Sequence, residues 1–182
     1  MKTIASVALG ALLATAVNAS ASTYSLTNSN GGDGYITGYY PTFTLYGADN
    51  SARQNFTDYS TVFTTAQSFK FSWTYTTNDC CGSVWDPAGY KVNGVIHQLS
   101  PADSDVGYSG SGVTMVTLAA GDTFGWYVYS QDSSLGRGLL EVSVTAVPEP
   151  ETYAMLLAGL GVLGYAPRRR TGNYTQQKSR SV

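Results

Sequence analysis

The chain has 182 residues and a formal net charge of −2; 43% of its side chains are hydrophobic, only 12% are charged, and there are 20 glycines and 14 tyrosines. Between Ser22 and Ala146 four basic side chains stand against ten acidic ones, a net of −6 that repels nucleic acid and anionic lipid. No internal repeat, heptad pattern or long charge run is present, which excludes solenoids and coiled coils.

The N-terminus reads as an export signal. Lys2 supplies the positive end, Ile4 to Val17 the apolar run, and Val17-Asn18-Ala19 or Ala19-Ser20-Ala21 a small-residue cleavage site. Residues 1–21 are therefore expected to be a signal peptide handled by the Sec machinery. Residues 22–146, about 125 positions, are enough for one domain with its own core.

Thr23 to Leu26 and Gly34 to Tyr40 are strand candidates separated by the turn cluster Asn28 to Asp33. Thr42 to Tyr46 resumes alternation after Pro41, and Tyr59 to Thr65 is a further candidate. The clearest signal is Gln67 to Thr76. Phe69, Phe71, Trp73 and Tyr75 fall on one side and Ser68, Lys70, Ser72, Thr74 and Thr76 on the other, a strict period of two with one core face and one wet face.

Asn78 to Ala88 is expected to be a long loop. Tyr90 to Val92 and Val95 to Leu99 flank Asn93-Gly94, the strongest short signal for a two-residue hairpin. Ser100 to Ser111 is polar and reads as loop, Val113 to Leu118 as a strand. Thr123 to Ser130 returns the chain, with Phe124, Trp126 and Val128 on one face; Leu140, Val142 and Val144 mark the last strand. About eight short strands with no amphipathic helix between them predict an all-β fold, an antiparallel, jelly-roll-like sandwich.

Few residues in this domain carry chemistry. Cys80 and Cys81 are the only cysteines, and adjacent α-carbons lie 3.80 Å apart, below the usual disulfide span of about 4.4 to 6.8 Å. A strained ring, an intermolecular bridge and two free thiols all stay open, with no catalytic role expected. His97 is the only histidine, which weakens any metal centre or nucleophile–base pair. Asp79, Asp86 and Asn93 offer hard oxygen ligands and form a candidate Ca²⁺ set, although such residues also populate turns. No other cofactor is indicated. The aromatic excess points to a sugar-contacting surface, with Tyr39-Tyr40, Trp85, Tyr90, Tyr127 and Tyr129 as its candidates; Tyr127 and Tyr129 lie opposite the expected core face of their strand.

The tail from Val147 to Arg170 reads VPEPETYAMLLAGLGVLGYAPRRR. Its apolar span, Tyr153 to Ala166, is about 14 residues, or roughly 21 Å as a helix, against a hydrocarbon core of about 30 Å. That makes a marginal anchor. Arg168, Arg169 and Arg170 place its far end in the cytoplasm, while Pro148 and Pro150 keep the preceding stretch extended. The order of motif, apolar span and basic cluster resembles the PEP-CTERM sorting signal of Gram-negative bacteria, with Val147-Pro148-Glu149-Pro150 as the motif and the three arginines as the cytoplasmic stop.

The resemblance implies transient anchoring in the inner membrane, cleavage near the motif by an exosortase, and delivery to the cell surface or an exopolysaccharide matrix. Residues 171–182 follow as a polar tail. The stretches FSWTYTTNDCCGSVWDPAGYKVNG and AAGDTFGWYVYSQDSSLG also look like the ectodomain of a group of small PEP-CTERM proteins, in which the loop runs Asn-Asp, a variable pair, Gly, then Asp-Pro-Ala-Gly-Tyr. That likeness implies a sandwich and no nameable activity. A structural matrix or biofilm component is the first expectation, a carbohydrate-binding module the second.

Overall fold

The computed structural model describes residues 23–146 and 156–161. Ten strands are present among them: β1 (Ser25–Asn28), β2 (Tyr35–Tyr39), β3 (Thr42–Tyr46), β4 (Asn55–Val62), β5 (Gln67–Thr77), β6 (Ala88–Val92), β7 (Val95–Gln98), β8 (Ser109–Leu118), β9 (Thr123–Ser130) and β10 (Gly138–Ala146). They form two antiparallel sheets, sheet A in the order β1-β4-β9-β6-β7 and sheet B in the order β2-β3-β10-β5-β8. Without β1 and β2 the orders β4-β9-β6-β7 and β3-β10-β5-β8 are those of an eight-stranded jelly roll. The two additional strands extend both sheets on one side, which accounts for ten strands where about eight were expected.

The alternating residues of both inner faces meet as expected. Phe43 and Leu45 on β3, Phe69, Phe71 and Tyr75 on β5, Phe124, Trp126 and Val128 on β9, and Leu140, Val142 and Val144 on β10 make one buried cluster. Trp126 is its centre, with the rings of Phe124 at 4.7 Å, Phe43 at 5.0 Å and Phe71 at 5.6 Å, all near edge-on. Such edge-to-face contacts suit the ring quadrupoles and add to the area buried. Trp73 is half-buried rather than fully inside: it lies across Gly112, where a Cβ would approach its ring to 2.7 Å, and donates to Thr114 Oγ1 at 3.2 Å.

Several boundaries differ from the sequence expectation, three of them for a visible reason; β6 also starts at Ala88 and β4 ends at Val62. β4 starts at Asn55 instead of Tyr59, because its inward positions are Asn55, Thr57, Tyr59 and Thr61, a buried polar half that hydrophobic periodicity cannot register. β8 starts at Ser109 instead of Val113, since Gly110 and Gly112 continue the pairing with Tyr75 and Trp73. β1 is shifted toward Asn28, whose side-chain oxygen accepts from Thr57 at 2.8 Å. The Asn93-Gly94 turn is as expected, with φ of 51° and 81° at its two residues.

Residues 156–161 are a short, exposed helical stretch. Among the described residues no helix is long and apolar enough to cross a membrane. The signal peptide over 1–21, most of the apolar span over 153–166 and the polar tail over 171–182 lie outside the described residues.

Candidate functional site

Buried polar side chains gather at one end of the sandwich, in the segments that leave β5, β9 and β3. Thr77, Asp79, Ser83, Asp86, Ser130 and Ser133 are all within 1% of complete burial. Backbone hydrogen bonds tie the segments together: Cys80 N–H to Leu135 O, Gln131 N–H to Trp85 O, and Ser51 N–H to Ser133 O. Tyr75 reaches out of the core to donate to the Asp86 carbonyl at 2.9 Å.

Asp79 and Asp86, two of the expected site residues, are both in this layer. Asp79 Oδ1 accepts from the Cys81 N–H at 2.7 Å, while neither oxygen of Asp86 has a hydrogen-bond partner. Burial pushes the Asp86 carboxyl up to about 7, and the fields of Asp79 and Asp132 add to this. Ser130 and the backbone of Gly138 pull the other way without completing a hydrogen bond to either oxygen. Asp79 is also raised, mainly by burial.

The third member of the candidate calcium set is elsewhere, and this corrects the sequence expectation. Asn93 sits at the far end of β6, where its amide donates to Asp122 at 2.8 Å and its oxygen accepts from the Thr123 N–H at 2.9 Å. It closes a turn and cannot share an ion with Asp86. Among the described residues the one group of three side chains able to converge on an ion is Asp79, Cys80 and Cys81, with ligand atoms within 4.8 Å of one another. Two soft sulfurs and one oxygen do not make a calcium site. Cys80 and Cys81 are exposed, unbonded thiols, and the Cys80 thiol is pushed up to about 11, chiefly by its hydrogen bond with the Cys81 side chain.

The expected sugar-contacting aromatics do not form one platform. Tyr127 is 2% exposed: its ring packs edge-on against Phe56 at 5.7 Å under Lys91, which leaves no face for a ligand and corrects the expectation drawn from strand alternation. Tyr129 is half-buried against Phe56 at 4.6 Å. Tyr90 stacks on His97 at 4.7 Å with the planes 7° apart, so its outer face is covered. Trp85 is half-buried in the polar end, where its carbonyl accepts from the Gln131 N–H at 2.8 Å. The lone histidine is thus a packing partner on an edge strand.

A different surface does converge. On the outer face of sheet B, register places Thr37, Thr44, Glu141, Thr74 and Ser111 in one row across all five strands. Tyr39, Thr42, Ser143 and Ser72 make part of the next row. All of these except Ser111 and Tyr39 line a groove of about 350 Å³ with Glu141 in its middle. At one side Tyr35 and Tyr46 stack at 4.3 Å, 8° from parallel. Sequence reasoning named the wet alternates of β5 but not this groove, because the row exists only once β3 and β5 flank β10.

Residues 146–170 match the PEP-CTERM protein-sorting motif. The expected motif residues Val147 to Pro150 and the basic stop Arg168 to Arg170 fall within that match, and lie outside the described residues. No curated protein matches the chain. Among solved structures, a family 35 carbohydrate binding module from an environmental isolate is 19% identical over 72% of this chain and 96% of that one, with a TM-score of 0.38. A family 35 module from Clostridium thermocellum is 12% identical over 66% and 97%, with a TM-score of 0.34. CBM35 from Cellvibrio japonicus Abf62 is 15% identical over 69% and 99%, with a TM-score of 0.36. At this degree of likeness none of the three says what this chain binds.

Proposed function

We propose that this chain, a PEP-CTERM protein with a β-sandwich ectodomain, is a structural component of the cell surface or exopolysaccharide matrix of a Gram-negative bacterium. In this reading it passes the inner membrane through the Sec machinery, is held there by its tail, and is cut near Pro148-Glu149-Pro150 by an exosortase. Its role in the biofilm or floc is mechanical and non-catalytic. The observation that carries the reading is the sorting motif at 146–170, which begins where β10 ends. Cleavage there would release a sandwich with all ten strands intact.

The test is the intact mass of the protein recovered outside the cell, with and without an exosortase in the host. Loss of both terminal segments is expected only when the enzyme is present. Neutral replacements of Arg168, Arg169 and Arg170, or alanines at Pro148 and Pro150, should leave the tail attached. Normal trimming and surface display of those variants would overturn the reading.

A second reading, a module that binds the extracellular polysaccharide, is favoured by the hydroxyl-lined groove around Glu141. Hydroxyl and carboxylate groups spaced by the roughly 4.8 Å strand repeat can exchange hydrogen bonds with successive sugar hydroxyls. The net charge of −6 between Ser22 and Ala146 selects against a polyanionic glycan and for a neutral one. Saturable binding to the host's polysaccharide that is lost on Glu141→Ala or Thr74→Ala would establish it; binding that responds to Trp85→Ala instead would move the site to the polar end.

A further inference from the structure

We infer that β8 is a self-association edge, pairing antiparallel with β8 of a second copy of this chain to continue sheet B across a two-fold axis. A free edge strand carries unpaired N–H and C=O groups on alternate residues, and natural sheets blunt such edges by shortness, proline, charge or cover. Among the described residues the four edge strands are β1, β2, β7 and β8. The first three have four, five and four residues, too short to template much pairing. β8 has ten, reading SGSGVTMVTL, with no proline and no charged side chain.

The outward face of this edge is apolar at its centre. Val113 is 65% exposed and Met115 62%, two adjacent apolar side chains on the same face of the edge. A second copy, rather than another ligand, is favoured by the strand's complementarity to itself. With the two-fold axis at Thr114, residues 110–118 pair with their own reverse. Val113 then faces Met115 of the second copy, Ser111 faces Thr117, and on the inner face Gly112 and Gly110 face the larger Val116 and Leu118. Each pair keeps both members on the same side of the sheet, as register demands. The surface is otherwise acidic and self-repelling, so an uncharged strand is the place where two copies can approach. Val113 and Met115 also lie in the strand next to Ser72 and Lys70, so the joined sheet would carry a continuous outer face.

The inference is separable from the sorting reading, because it is tested on residues 23–146, which contain all ten strands and the whole core. Sedimentation velocity in the presence of reductant, which removes any Cys80 or Cys81 bridge, should show a concentration-dependent dimer. Val113→Lys and Met115→Glu should each weaken it at least about tenfold, since each sets a charge against an apolar side chain at the centre of the pairing. Mixing the two variants should restore association, because the introduced ammonium then faces the introduced carboxylate across the axis. Unchanged unfolding midpoints would show that both variants fold. A wild-type domain that stays monomeric at all concentrations, a dimer indifferent to both substitutions, or a mixture that fails to recover would each overturn the assignment.

Discussion

Lys91 Nζ lies 2.6 Å from Asp58 Oδ1 and 3.8 Å from the centre of the Phe56 ring, so a carboxylate and an aromatic face hold the same ammonium. Lys91 belongs to β6 and Asp58 to β4, and β9 runs between them. The pair therefore closes over Tyr127 and shields it from solvent on the outer face of sheet A. Lys91→Ala should lower stability by about 1 kcal/mol, the sum expected of a partly exposed ion pair and a cation–π contact, and should expose Tyr127. Urea unfolding measures the first effect and solvent perturbation of tyrosine absorbance the second. An unchanged midpoint would mean that solvent serves Asp58 equally well.

Asp86 sets the sign of the pH dependence. An unfolded aspartate titrates near 3.9, whereas burial holds this one up to about 7 in the fold. Between those values the folded state binds the additional proton, so stability falls as pH rises through the window and levels off above about 7. Asp79, raised for the same reason, acts in the same direction. Asp86→Asn should flatten the curve and exceed the wild type by at least about 1 kcal/mol at pH 8 while matching it below about pH 4. Chemical unfolding at the two pH values decides it; parallel curves would show that the carboxyl is not kept neutral.

The state of Cys80 is accessible to alkylation. With its thiol pushed up to about 11, iodoacetamide should react slowly at pH 8 and its rate should still be climbing at pH 10. Cys81→Ser removes the side-chain hydrogen bond that is the largest cause of the shift and should bring the inflection down. Rates that plateau near pH 9 in both proteins would rule out the coupling.

Two glycines separate backbone conformation from crowding. Gly82 and Gly94 both have positive φ, at 84° and 81°, but a Cβ on Gly94 meets nothing within 4 Å while one on Gly82 collides with the Ser104 carbonyl. Gly94→Ala should cost about 1 kcal/mol through φ alone. Gly82→Ala should cost at least about twice that, because the 101–108 segment must move away from the polar end. Thermal unfolding of the two variants gives the comparison directly.

The layered fold was legible because most inward positions of β3, β5, β9 and β10 are large and apolar at a period of two. β4 was only half legible, since it buries Asn55 and Thr57, and a polar inward face has no hydrophobic signature. The start of β8 was hidden by glycines that look like loop in one dimension and make room for Trp73 in three. The fate of Tyr127 illustrates the limit most clearly: alternation assigns its side of the strand, but whether that side meets water depends on Phe56 and Lys91 from neighbouring strands. Asp79, Asp86 and Asn93 were grouped by residue type and nearness in sequence; the first two share the polar end, while the length of β6 carries Asn93 away from them. Glu141 drew no notice because its significance comes entirely from its lateral neighbours.

β10 is bonded on both sides, to β3 and to β5, and is the last strand before the sorting motif. Sheet B stays in two halves, β2-β3 and β5-β8, until β10 joins them, so the domain cannot close before its C-terminal strand is in place. The strand that completes the cargo and the segment that addresses it are therefore adjacent in the chain.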